Sequence, residues 1–201
     1  MTEARTRRHG LEPFLDDAPQ GAAGQDAIEI QIQSGLVHLN LRGNPGDSRF
    51  MDAAEKVLGQ ALPTEPNTSS SGAHRICWLG PDEWLILTNA DTLAGRLRET
   101  LTGVHAALND VSGGQIALRV AGPHAADVLA KGCTVDFHPR VFRPGMCAQS
   151  GLAKASVLIG LIDRTDRQPV VEIVVRRSFS DYLLRWLGRA AAEFGAAFSA
   201  S

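Results

Sequence analysis

Six histidines (His9, His38, His74, His105, His124, His138) and three cysteines (Cys77, Cys133, Cys147) are the side chains best suited to metal or nucleophilic chemistry in this sequence. Metal sites show as H-x-x-x-H, H-x-H or paired cysteines, because ligands two apart on a strand or four apart on a helix converge on one ion. No such pair occurs, so each imidazole reads as a surface or hydrogen-bonded group. The cysteines are odd in number and lack C-x-x-C spacing, which reads as buried or half-buried reduced thiols of a cytosolic protein. A nucleophilic triad needs Ser or Cys against a His that a carboxylate orients, and no G-x-S-x-G elbow is present. Phosphate-cradling G-x-G-x-x-G and G-x-x-x-x-G-K-[ST] segments are absent too. Val111-Ser112-Gly113-Gly114-Gln115 is glycine-rich but leads into a strand, so it lacks the helix N-terminus that holds an anion and reads as a turn.

The adjacent carboxylates Asp16-Asp17 and Asp82-Glu83 fall in a tail and at a hairpin tip, where such groups are solvated rather than poised as acid and base. Lys154 lies beside an apolar strand, where desolvation lowers a lysine pKa; a snorkelling surface lysine is the plainer reading. No catalytic, cofactor-binding or metal residue is therefore assigned. Large aromatics fill cores and also anchor interfaces. Trp78 and Trp84 flank the hairpin turn on one face, and Trp186 belongs to the last helix. Candidate interface residues are Trp186 and the tail arginines Arg5, Arg7 and Arg8.

The elements that would carry these residues follow from periodicity. Residues 1–27 mix Arg, Pro, Gly, Asp and Ala without apolar rhythm and read as a tail, disordered or partner-bound. Ile28, Ile30 and Ile32, then Val37, Leu39 and Leu41, alternate as two half-buried strands. Gly43-Asn44-Pro45-Gly46 predicts a turn and Asp47 or Ser48 a cap for a helix running to Gly59. A polar loop over Thr64–Gly72 precedes a hairpin, Arg75–Leu79 and Trp84–Thr88, with Gly80-Pro81-Asp82-Glu83 as a four-residue turn. Asp91 is expected to cap a helix to about Leu101 whose Leu93, Leu97 and Leu101 share a face.

The same grammar recurs: a strand Ile116–Val120, a turn at Gly122-Pro123, a helix Pro123–Lys131 stopped by Gly132, a Pro- and Gly-rich loop (Asp136–Gly145), strands Ala155–Ile162 and Val170–Val175, and a helix Ser180 to about Phe194. Leu41-Arg42-Gly43 aligns with Leu118-Arg119-Val120 at an offset of 119 minus 42, or 77. The fold class expected is α+β: a duplicated strand-turn-helix-hairpin-helix unit with antiparallel-rich sheets. Its pseudo-repeats span about 28–108 and 109–198 of a single domain, 28–201.

Composition narrows the partners. Twenty Lys+Arg against twenty-two Asp+Glu give a net charge of -2, which lacks the basic excess that phosphate neutralisation requires. Nothing approaches 18 consecutive apolar residues, and no apolar stretch of signal-peptide length follows the first arginines. The expected location is the cytoplasm, with neither nucleic acid nor membrane as partner.

One stretch is distinctive. Leu118-Arg119-Val120-Ala121-Gly122-Pro123, Ala126–Cys133, Asp136-Phe137-His138-Pro139-Arg140-Val141-Phe142 with Gly145–Gln149, Leu152–Ile159 and Val175–Leu183 with Trp186-Leu187 resemble the gamma-subunit family of heterotetrameric sarcosine oxidases. Gly80-Pro81-Asp82-Glu83-Trp84-Leu85 joins the pattern. The resemblance implies a fold similar to the folate-binding domain of the glycine cleavage T-protein, with ferredoxin-like halves. It implies alpha, beta and delta partner subunits that hold FAD, FMN, NAD and tetrahydrofolate, and a non-catalytic supporting role for this chain. T-protein-like folate sites use a G-G-x-x-D-type segment, which Ser71–Leu79 and Ala155–Asp163 lack. Alternative readings are the gamma subunit of a related N-methyl amino acid or amine demethylase, a stand-alone folate-binding aminomethyltransferase, and an independent binding module.

Overall fold

A computed structural model of the chain describes residues 27–165 and 168–201. The alternating isoleucines form β1 (Ile28–Gln33) and the next alternation forms β2 (Val37–Gly43). Asp47 caps α1 (Ser48–Leu58) by accepting from the Arg49 N–H, and Gly59 closes the helix at φ 69°. The chain continues through β3 (Ser69–Ser71), β4 (Arg75–Gly80), β5 (Glu83–Thr88), α2 (Leu93–Thr100) and β6 (Ala106–Asp110). A 3₁₀ turn leads to β7 (Gln115–Ala121), α3 (Ala125–Ala130), β8 (Cys147–Leu152), β9 (Ala155–Thr165), β10 (Gln168–Arg176), α4 (Ser180–Ala190) and β11 (Ala196–Ala200).

Two sheets result. One runs β3, β4, β5, β2, β6; the other runs β8, β9, β10, β7, β1, β11. The second order is the first advanced by five strands, with β1 inserted between β7 and β11. Every pairing is antiparallel except β1 with β11, so β1, read in the sequence with the first repeat, hydrogen-bonds within the sheet of the second.

Strand alternation sorts the side chains into layers. Leu39, Leu41, Ile76, Trp84 and Ile86 pack beneath α1 and α2, with Phe50, Leu93 and Leu97 from the helices. Ile30, Leu118, Ile159 and Ile173 pack beneath α3 and α4, with Leu129, Leu183 and Leu187. The opposite faces meet in a thinner layer of Cys77, Leu85 and Leu87 against Ala117, Cys147, Leu158 and Val174. The order through the molecule is helices, sheet, sheet, helices.

Several boundaries differ from the sequence reading for local reasons. Gly80 pairs with Glu83, so the hairpin tip is Pro81-Asp82 alone, next to a bulge at Trp78/Gly80. Asp91 does not cap α2. Thr92 holds that position without a side-chain bond, because a turn closed by Leu93 N–H to the Ala90 carbonyl (3.0 Å) leads into the helix. The helix expected from Pro123 begins at Ala125, its first residues being taken by a turn from Ala125 N–H to the Gly122 carbonyl. The last helix ends at Ala190 rather than near Phe194, in a turn closed by Phe194 N–H on the Ala191 carbonyl. Strands β3, β6, β8 and β11 escape the pattern because Ser and Ala give them little apolar alternation.

Candidate functional site

The seam between the sheets gathers the charged and thiol groups that the apolar layers exclude. Glu172 interrupts the run Val170-Val171-Glu172-Ile173-Val174-Val175 in β10, and its side chain is 6% exposed. Arg75 crosses from β4 of the other sheet and places Nε 2.7 Å from Glu172 Oε1. Gly160 is the β9 residue paired with Glu172, and the Arg75 guanidinium lies against it: a Cβ there would be 3.4 Å from Arg75 Nη2. Burial raises the Glu172 pKa above the usual carboxyl range, and the opposing pull of Arg75 and of its β7 neighbour Arg119 does not cancel that.

A cleft of about 550 Å³ opens at this pair, with Arg119, His74, Thr88 and Asn89 among its walls. His74 Nδ1 lies 2.8 Å from Thr88 Oγ1, and burial first, then the Arg96 charge, lower its pKa. Two residues beyond Arg75, Cys77 meets Cys147 of β8 across the seam; its hydrogen bond with Cys147, reinforced by burial, holds the Cys77 thiol well above its usual pKa. Cys147 Sγ also donates to the Thr68 carbonyl at 3.2 Å. All three cysteines are buried. The same hydrogen bond from Cys77, helped by the Arg75 charge, lowers the pKa of Cys147, so the seam sets a buried ion pair beside a hydrogen-bonded pair of thiols.

A second junction lies where the two halves of the chain connect. The Ser112–Gly114 segment is a 3₁₀ turn, as its sequence suggests, and Ser112 is buried. Its Oγ accepts from His38 N–H at 2.9 Å and donates to Asp110 Oδ1, while Val111 N–H donates to the His38 carbonyl. His38 Nδ1 faces Gln115 Oε1 at 3.1 Å, and burial lowers the His38 pKa.

The remaining sequence candidates are dispersed. Arg5, Arg7, Arg8, His9 and Asp16-Asp17 lie outside the described residues. Trp186 is half-buried with its six-membered ring over Gly132, where a Cβ would come within 2.5 Å of the ring. Gly132 follows directly on the cap of α3, where the helix was read to stop, and its missing side chain also admits the indole. Trp84 is fully buried, opposite Trp78, and its Nε1 donates to the Pro63 carbonyl at 2.7 Å. Asp82 pairs with Arg42, Glu83 accepts from Asn40, and Lys154 is exposed at the β8–β9 turn. Among the described residues no group of three or more His, Cys, Asp or Glu is placed to hold a metal, and no helix is long and apolar enough to cross a membrane. The residues missed were Arg75, Gly160 and Glu172. Their signal was a carboxylate and a glycine inside otherwise apolar strands.

The sequence is 33% identical over 207 residues to the sarcosine oxidase subunit gamma of Corynebacterium sp. (strain U-96), covering 98% of this chain and 96% of the relative. The subunit gamma of Corynebacterium sp. (strain P-1) is 30% identical over 191 residues, covering 94% and 91%. A chain of the heterotetrameric sarcosine oxidase from Corynebacterium sp. U-96, solved in complex with pyrrole 2-carboxylate, superposes with a TM-score of 0.86 at 28% identity, covering 95% of this chain and 97% of that one. The fold is also that of the glycine cleavage system aminomethyltransferase T from Bartonella henselae, with a TM-score of 0.64 at 14% identity; the match covers 87% of this chain and 48% of that one. The two sheets thus have a T-protein-like arrangement. Since residues 42–193 match the sarcosine oxidase gamma subunit family and the relatives align over nearly their whole length, this chain belongs to that family.

Proposed function

We propose that this chain is the gamma subunit of a heterotetrameric, flavin-dependent sarcosine oxidase that demethylates sarcosine oxidatively to glycine, and that it supports assembly and stability without an active site of its own. The observation that carries this reading is the end-to-end superposition on a chain of such a heterotetramer. Alpha, beta and delta subunits are its partners, in the cytoplasm, and they hold FAD, FMN, NAD and tetrahydrofolate. The fold is a duplicated unit of ferredoxin-like halves, supported by the five-strand advance between the two sheets. The residues present do not fit a folate-holding role: Glu172, the one buried carboxylate among the described residues, is already paired with Arg75. Contact with the partners is assigned to Arg5, Arg7 and Arg8 and to the exposed part of Trp186.

Co-expression with the three partner genes tests the proposal. A stable four-chain flavoprotein that loses yield or melts lower when this chain is omitted is the expected result; a flavoprotein that forms and melts identically without it overturns the proposal. Tight, saturable tetrahydrofolate binding by the isolated chain would favour an aminomethyltransferase instead.

A further inference from the structure

Residues 131–146, between α3 and β8, contain no helix or strand, yet the segment is built as firmly as one. Ordered connections of this length without regular structure are uncommon in compact domains and are usually functional. Phe137 and Phe142 turn inward, packed edge to face with ring centroids 5.8 Å apart, and enter the core beneath α3 and α4. The backbone between them is closed by Val141 and Phe142 N–H on the His138 carbonyl (2.9 and 3.0 Å), and Arg140 N–H donates to His138 Nδ1. Arg164 from β9 donates to the Phe137 carbonyl at 3.0 Å, and Gly145 N–H donates to the Leu161 carbonyl, which fixes the loop on its sheet.

With its phenylalanines buried, the loop presents a short outward crest. Val141 is 53% exposed, the most exposed large hydrophobic side chain among the described residues. Arg140 and Arg143 flank it, both exposed, and neither makes an ion pair among the described residues. The nearby Asp136 is occupied by His138 N–H. A cationic crest on a chain of net charge -2 is a local feature, not a consequence of composition. An apolar tip between two arginines, held rigid before binding, has the form of an interface anchor: little ordering entropy is lost on docking, and arginine is enriched at such positions.

We infer that the crest Arg140-Val141-Arg143 docks on a partner subunit of the oxidase, into an apolar pocket rimmed by carboxylates. The inference rests on the proposed place of this chain in the heterotetramer. It assigns to one loop the contact that fixes orientation and speeds encounter. Lipid and nucleic acid fit less well, because two arginines on a narrow crest offer too few charges for either.

The test uses the full-length chain and the remaining three subunits purified as a subcomplex, with binding measured at low and physiological salt. Val141→Asp and Arg140→Glu each act on exposed groups whose side chains make no hydrogen bond among the described residues, and Lys154→Glu serves as a charge control at another turn. The expected result is at least tenfold weaker association for each crest variant, a flatter salt dependence for Arg140→Glu, an unchanged melting temperature, and binding within twofold of the parent for Lys154→Glu. Crest variants that melt normally and bind within twofold of the parent overturn the docking site while leaving the subunit reading intact. A parent chain that does not bind the subcomplex overturns both, and crest variants that alter only self-association of the isolated chain assign the crest to a second copy, against the inference.

Discussion

The helix-covered cores and the sheet-to-sheet seam are built from opposite faces of the same strands, and they solve different problems. In β9, Ile159 is fully buried under the helices while its neighbour Leu158 faces the seam. The outer cores consist of branched aliphatic and aromatic groups gathered within one half of the chain, apart from β1. The seam is smaller: three leucines, an alanine and a valine lie beside two thiols and, among the described residues, one buried ion pair whose arginine crosses between the sheets. Apolar burial is strong and non-directional. A buried charge pair adds little net stability but strongly penalises any arrangement that separates its partners. The outer cores thus provide stability, and the seam fixes how the two sheets register.

The largest test removes one side of that penalty. Arg75→Met leaves Glu172 buried without its countercharge and is expected to cost about 3–5 kcal/mol in urea unfolding. Adding Glu172→Met should recover most of that loss, and a double variant as unstable as the single one would show that the guanidinium stabilises through packing instead. Next in size is the pair on β9. Ile159→Ala should cost about 2–5 kcal/mol, with Leu158→Ala at or below the low end of that range, because the thin seam can close over the gap. Equal costs would remove the distinction between core and seam.

The smallest effect is that of pH. Burial keeps the pKa of His38 and of His74 below the usual histidine value, so the unfolded chain takes up protons that the folded chain refuses. Their contribution to stability is complete above about pH 6.5 and is lost as pH falls below it. Glu172 acts with opposite sign, since its raised pKa favours the folded state at lower pH and disfavours it as pH rises through the shifted value. The melting temperature should therefore fall between pH 7.5 and 5.5, and fall less in a His38→Gln/His74→Gln variant. Parallel slopes would place the pH response outside the junctions.

Most of this fold is legible in the sequence because most of its elements have one buried face. Ile28, Ile30 and Ile32, the leucines of α2 and the stripe of α4 announce themselves by period. Ser69–Ser71 and Ala196–Ala200 do not, being edge strands whose backbone bonds, not their side chains, recruit them. That β1 joins the second sheet is equally unreadable, since alternation gives a face but not a partner. The seam is partly legible. Glu172 and Gly160 are visible as breaks in apolar runs, but nothing local to Arg75 says that it will meet them across a sequence distance of 172 minus 75, or 97 residues.

The placement of β1 has a consequence for how the chain acquires its shape. The five-stranded sheet has all its strands once Asp110 has been made, whereas the other needs Ile28 beside Ala196, a separation of 196 minus 28, or 168 residues. Contacts between such distant residues close slowly, because the loop entropy is lost before the pairing compensates it. During synthesis the first sheet can form on the ribosome, and β1 can pair with β7 once Ala121 has emerged, but its other edge stays open until β11 follows. The final step of folding is thus the capture of an early strand by a late one, and the interval before it is when the chain is most exposed to pairing with the wrong neighbour.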